Sequence, residues 1–242
     1  MPLLCSTNMS TLTLNDAGYV GQLTQTGIVR EGMVLHLDPG NRNSYRGVGT
    51  TVIDLTGKGY NGTLSGGLTW SPLYGGVWVH DGTNKWVDTA LSIDANPNTI
   101  CAWFYCTDVA SANGRGVVLT DNGGWDKGFG TVSSQWEIHV GDNQGVSSTR
   151  APQNGLWYFG TCTYDNTNVI LYINGANAVY TKGSGPGATS GEPVEIGRAW
   201  YNGGGGSRFW AGYISSVQIY NRVITAAEIN QNWNAMKGRF GI

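Results

Sequence analysis

Charge is what this sequence has least of. Asp, Glu, Lys and Arg together make up 12% of the 242 residues and leave a formal net charge of −2. No run of Lys or Arg occurs, so the electrostatic footprint of a nucleic-acid or anionic-membrane partner is missing. No apolar stretch reaches the roughly 18 residues of a membrane-spanning helix. The first residues lack a basic start followed by an apolar core, so no secretory signal is expected and a reducing cytoplasm is the expected place of synthesis. Cysteine is scarce: Cys5, Cys101, Cys106 and Cys162 match no zinc spacing, because Cys101 and Cys106 stand five apart. They read as small buried apolar residues, not as a disulfide framework. No Gly-x-Ser-x-Gly elbow points to an esterase. Gly57-Lys58 is followed by Gly59, which rules out a phosphate-binding Walker loop.

Glycine and large aromatics are abundant, with 38 Gly, 10 Trp and 12 Tyr. That mixture fits an all-β sandwich with many tight turns. Residues 156–180 show it best. Trp157, Phe159, Thr161 and Thr163 fall on one face of a strand, and Tyr158, Cys162 and Tyr164 on the other. Asp165 to Asn168 is a turn cluster, and Val169 to Ile173 is a β-forming run. Asn174-Gly175 supplies two positions that tolerate positive φ, as a two-residue hairpin requires.

Further strands are expected at Met33–Asp38, Thr51–Leu55, Val77–His80, Trp86–Thr89, Thr99–Cys106, Gly116–Thr120, Gly128–Val132, Gln135–Val140 and Val146–Thr149, then at Val194–Gly197 and Tyr213–Tyr220. Alternation of Trp136, Ile138 and Val140 with Gln135, Glu137 and His139 predicts one wet face. One helix is well signed, over 226–237. Thr225 and Glu228 form a capping box, Ile224 and Ile229 a hydrophobic staple, and Ile229, Trp233 and Met236 an apolar stripe. Gly238 is the expected stop, and the helix is expected to cover a sheet edge or end. Residues 1–27 are polar and read as an N-terminal arm, either disordered or ordering against a partner; residues 28–242 form the compact domain.

These residues carry a family resemblance. Gly32–Asp38, Asp54–Leu64, His80–Val87, Thr99–Phe104, Trp157–Asp165 with Leu171–Gly175, Ile196–Arg198 and Phe209–Asn232 resemble, in order and spacing, successive blocks of the laminin-G-like, concanavalin A-like lectin/glucanase superfamily. The resemblance covers roughly residues 30–237. It implies a jelly-roll sandwich of two antiparallel sheets, about 12–14 strands, with a short C-terminal helix. The segment Gly27-Ile-Val-Arg-Glu-Gly32 and the tail Asn234–Ile242 resemble structural proteins of tailed bacteriophages, notably those of cyanobacteria. That implies a capsid decoration (cement) protein or tail component, a homo-oligomer made in a host cytoplasm and carried on the virion. Its partners would be a major capsid or tail protein, met through the N-terminal arm and the sandwich surface.

Fold alone does not set function. Family members that hydrolyse glucans carry a Glu-x-Asp-x-x-Glu strand. Here Glu137 is followed by Ile138 and His139, so no enzyme is expected. His36, His80 and His139 each fall on an expected strand and read as structural. The resemblance allows calcium in acid-rich loops, with Asp121, Asp126 and Asp142 as candidates. It also allows sugar binding, on a tail fibre or at a bacterial cell surface, through an exposed aromatic with amides or carboxylates beside it. Trp125 beside Asp121, Asn122 and Asp126 fits that pattern, and so does Trp200 with Tyr201 and Asn202.

Overall fold

A computed structural model describes residues 27–120, 126–141, 144–147, 150–183, 191–199 and 208–242. Two eight-stranded antiparallel sheets stack face to face. In chain order the strands are β1 (Met33–Leu37), β2 (Thr51–Val52), β3 (Gly62–Ser65), β4 (Thr69–Ser71), β5 (Val77–Asp81), β6 (Trp86–Ser92), β7 (Asn98–Cys106), β8 (Arg115–Thr120) and β9 (Lys127–Val132). They continue with β10 (Gln135–Val140), β11 (Gln144–Ser147), β12 (Trp157–Tyr164), β13 (Val169–Ile173), β14 (Ala178–Lys182), β15 (Pro193–Ile196), β16 (Arg198–Ala199), β17 (Arg208–Phe209) and β18 (Ala211–Tyr220). The first sheet runs β14-β13-β12-β7-β18-β5-β4, with β1 also paired to β18. The second runs β11-β10-β9-β8-β15-β6-β3-β2, and β16 and β17 form a small ribbon. Strand count exceeds the expected range because several elements are only two or three residues long.

The expected alternation along β12 holds. Tyr158, Cys162 and Tyr164 point into the inter-sheet core with Phe104, Phe129 and Trp136. Trp157 and Phe159 point to the opposite face, yet they are buried as well. A partial third layer covers them: residues 28–33, helix α1 (Ala226–Met236) and a 3₁₀ turn, Lys237–Phe240. Trp103 stacks on Trp233 at 5.1 Å and on Phe240 at 4.3 Å. The helix therefore covers a sheet face and not the expected edge.

Its start is as the sequence indicates. The Thr225 side chain accepts from Glu228 N, and Glu228 Oε2 accepts from Thr225 N. Its end is not. The helix closes at Met236, the chain passes Gly238 in the 3₁₀ turn, and the left-handed residue is Gly241 at φ +76°. Continuing past Gly238 is what brings Phe240 onto Trp103 and Trp157. The hairpin after β13 also differs slightly. Asn174 and Gly175 adopt φ of +56° and +87°, but Ile173 N donates to Asn177 O, so the loop has three residues.

The expected wet face of β10 is dry. Trp136, Ile138 and Val140 line the core, but Glu137 and His139 are each only 1% exposed. Arg208 Nη1 donates to Glu137 Oε1 at 2.6 Å, and His139 Nε2 lies 3.8 Å from the same oxygen. An ion pair built across that face replaces the solvent that the polar alternation implied.

Cys101, Cys106 and Cys162 are buried and unbridged. Cys101 belongs to the outer cluster beneath the helix, whereas Cys106 and Cys162 belong to the core. Of the expected arm, residues 1–26 lie outside the described residues. Gly27 O accepts from Gln231 Nε2, and Val29 N donates to Asn232 Oδ1, which fixes the chain beside the helix.

Candidate functional site

Most of the residues singled out from the sequence, namely Asp121, Asn122, Trp125, Asp142, Trp200, Tyr201 and Asn202, lie outside the described residues. Asp126 is described. It is buried, and its carbonyl accepts from Gly141 N, tying the start of β9 to the end of β10. The residues that flank the two aromatic loops sit at opposite ends of β8. Thr120 pairs with Lys127 at one end, while at the other Arg115 Nη1 donates to Phe209 O. Among the described residues no group of three or more His, Cys, Asp or Glu is placed to hold a metal ion. His36 bonds Ser216 Oγ and His80 Nδ1 bonds Lys85 O; burial lowers both pKa values to about 4, so both rings are neutral.

At the Thr120 end the structure forms a cleft that sequence reasoning missed. One wall is the connection from β6 to β7. Alternation along β6 turns Ser92 outward and Leu91 inward, and Ile93 is also buried. Asn98 opens β7, and its Nδ2 donates back to Ile93 O and Ala95 O at 3.1 and 2.8 Å. Lys127 fixes the same loop from behind. Its Nζ donates to Ile93 O and Asp94 O at 2.7 Å, to Asn96 Oδ1 at 2.9 Å and, more weakly, to Ala95 O at 3.4 Å. Lys127 has no exposed surface, and burial lowers its pKa to about 8.

The opposite wall is the turn Gly57–Tyr60. It is pinned by Asp54, whose carboxylate accepts from His36 N, Thr56 N and Thr56 Oγ1. Between the walls is a cleft of about 360 Å³ lined by Lys58, Tyr60, Ala95, Asn96, Asn98 and Asn221 over an apolar base that includes Leu91 and Ile93. Asn98 is 2% exposed, and its Oδ1 has no hydrogen-bond partner among the described residues. A fully desolvated amide oxygen without a donor costs on the order of 1–3 kcal/mol. A ligand hydroxyl would remove that cost. Amides, a phenol and an apolar base together suit a small molecule with hydroxyls on its rim and C–H groups on its face. The only sequence signals here were turn residues, Gly57–Gly62 and Asn96-Pro97. Nothing in a single sequence marks Lys127 as buried.

The outer surface of the second sheet carries a separate polar network. Trp86 Nε1 and Ser65 Oγ both donate to Asp88, at 2.6 and 2.5 Å. Arg198 pairs with Glu195 and lies 4.1 Å over the Trp86 ring. Glu137 and Glu195 stand on β10 and β15, three strand spacings apart, or about 14 Å. Paired glycosidase carboxylates need about 5–9.5 Å.

Residues 81–230 match the profile of a family described as the concanavalin A-like lectin/glucanases superfamily. No curated protein matches the chain at comparable significance. Among solved structures, domain 4 of a GH43 extracellular arabinanase from Geobacillus stearothermophilus, in complex with arabinotriose, superposes with a TM-score of 0.61 at 14% identity. That match covers 83% of this chain and 97% of the arabinanase domain. The receptor-binding domain of a botulinum neurotoxin C/D mosaic serotype gives 0.64 at 12% identity, covering 84% of this chain and 51% of that one. Botulinum neurotoxin type C, in a structure described by its dependence on two ganglioside molecules, gives 0.63 at 13%, covering 85% and 51%. The chain thus spans about half the length of the neurotoxin chains. At these identities the likeness shows the fold.

Proposed function

The chain belongs to the concanavalin A-like lectin/glucanases superfamily, and from that premise we propose that it binds carbohydrate without cleaving it. The observation that carries this is the end cleft, where Asn98 Oδ1 is buried without a donor among the described residues, beside Asn96, Tyr60 and Asn221. The arabinotriose held by the arabinanase domain and the gangliosides tied to the type C neurotoxin support the same ligand class. Trp125 with Asp121, Asn122 and Asp126, and Trp200 with Tyr201 and Asn202, are the auxiliary contacts in this proposal. Asp121, Asp126 and Asp142 are its calcium candidates.

A glycan array tests it. Wild-type protein should bind a subset of glycans, and Ala95→Tyr, which fills the cleft from an exposed position, should lose that binding. Silence of the wild type across the array refutes carbohydrate binding. Turnover of any polysaccharide that vanishes with a single carboxylate substitution refutes the non-catalytic assignment. Trp125→Ala and Trp200→Ala, measured on the same array, report whether either aromatic loop contributes.

A second role, as a virion decoration or tail protein that contacts a capsid or tail partner and forms a homo-oligomer, draws support from a different observation. The two segments that resemble phage structural proteins are built together into the layer over the first sheet. Val29 from one segment and Phe240 from the other lie in the same buried cluster, with Ile28 and Met236 packed against it. Beside that layer a row of partly exposed tyrosines, Tyr105 stacked on Tyr213 at 5.3 Å and Tyr74 set edge-on against the buried Trp157 at 5.0 Å, suits a protein contact. Immunogold labelling of purified virions should decorate particles if this role holds. Label absent from every particle excludes it.

A further inference from the structure

We infer that the end cleft selects a saccharide bearing a carboxylate, with Lys58 at the mouth taking the acid group and Asn98 at the inner wall taking a hydroxyl; this rests on the carbohydrate-binding proposal above. Among the described residues lining the cleft, Lys58 is the one that carries a charge. It is exposed, and it has no ion-pair partner among the described residues. The acids nearest in sequence do not line the cleft. Asp54 is committed to the turn through His36 N and Thr56, and Asp94 Oδ2 accepts from Ser92 Oγ at 3.1 Å.

The inner end has fixed polarity. Asn98 cannot exchange its amide ends, because Nδ2 already donates to two carbonyls and a flip would set oxygen against oxygen. Its free Oδ1 therefore calls for a donor, such as a sugar hydroxyl or an N-acetyl N–H, and repels a carboxylate. The acid group is thus directed outward, where Lys58 is the matching cation. A volume of about 360 Å³ is near the lower limit of small-ligand pockets, which suits one or two sugar rings and not a long chain.

The test is an NMR titration of ¹⁵N-labelled protein with the methyl glycosides of glucuronate, galacturonate and N-acetylneuraminate, set against those of glucose and galactose. At least one acidic glycoside should shift Asn98 and Lys58 resonances and bind about fivefold more tightly than its neutral counterparts, the size expected of one solvent-exposed ion pair. Lys58→Gln should abolish the preference for acidic over neutral glycosides, and higher salt should shrink that preference in wild type. Equal affinity for acidic and neutral glycosides, a preference that survives Lys58→Gln, or acid-induced shifts away from the cleft would each overturn the inference. The first of these leaves carbohydrate binding intact, whereas a silent glycan array removes the parent proposal.

Discussion

Replacing Lys127 by Met tests what holds the cleft wall in place. The substitution keeps most of the apolar stem and deletes the ammonium group. That group donates to the carbonyls of Ile93, Asp94 and Ala95 and to Asn96 Oδ1. Hydrogen bonds to a charged donor are worth about 1.5–3 kcal/mol each, and their loss leaves the loop carbonyls without donors. Against this stands the cost of burying the cation. The fall in pKa from 10.5 to about 8 corresponds to about 3 kcal/mol. The two effects together leave a net destabilisation of about 2–3 kcal/mol at pH 7, on the scale of breaking a buried ionic group by removing one partner. The sign with pH follows from the same shift. Between pH 8 and 10.5 the unfolded chain keeps the Lys127 proton while the folded chain releases it, so wild-type stability rises with pH in that window. The Met variant lacks this contribution. Urea denaturation of both proteins at pH 7 and pH 10 should therefore show the gap between them widening by about 2–3 kcal/mol. A gap that stays constant or narrows refutes the idea that Lys127 is carried as a cation, at a desolvation cost, in the folded protein.

Three further measurements probe the frame around the cleft. Phe240→Ala should cost about 3–4 kcal/mol in chemical denaturation, because the ring is 4% exposed and packs at 4.3 Å on both Trp103 and Trp157; an effect below about 1 kcal/mol would mean that the C-terminal turn is not part of the packed structure. Gly175→Val should destabilise by about 1–3 kcal/mol, since φ is +87° there and a Cβ would lie 2.6 Å from Asn230 Oδ1. Hydrogen bonding to Arg222, ahead of all other causes, lowers the Glu228 pKa to about 2, so its contribution is present above pH 4.5 and lost as pH falls through 2; Glu228→Gln should cost about 1 kcal/mol at pH 7, allowing for screening of a partly exposed pair, and almost nothing at pH 2, read from thermal or urea unfolding.

Local patterning made most of the architecture legible. Two-residue alternation placed Trp157 and Phe159 opposite Tyr158 and Cys162, and the capping box at Thr225 and Glu228 fixed where the helix starts. The departures arose where tertiary packing overrides a local signal. The α-helix ends at Met236, within a residue of where Gly238 implies, but Gly238 is not its left-handed cap, because the chain runs on in a 3₁₀ turn that carries Phe240 onto Trp103. Glu137 and His139 alternate like solvent-facing residues, but Arg208, distant in sequence, closes over them. The cleft was illegible for a similar reason. Lys58, Asn98, Asn221 and Lys127 are separated by long stretches of chain, and only sheet pairing brings them together. Turn chemistry in a single sequence reveals that a loop exists, not which other loop it faces.

The three strand thiols have one more consequence. Burial pushes Cys101 up to about 12 and raises Cys106 and Cys162 as well, so none offers a thiolate at physiological pH. Cys101 also faces away from the other two across the first sheet, which leaves it no bridging partner among them. Neither glutathione nor an extracellular oxidant has a bond here to break or to make. The stability of the described sandwich should therefore be the same with and without a thiol reductant, because packing and not a covalent cross-link joins its two sheets.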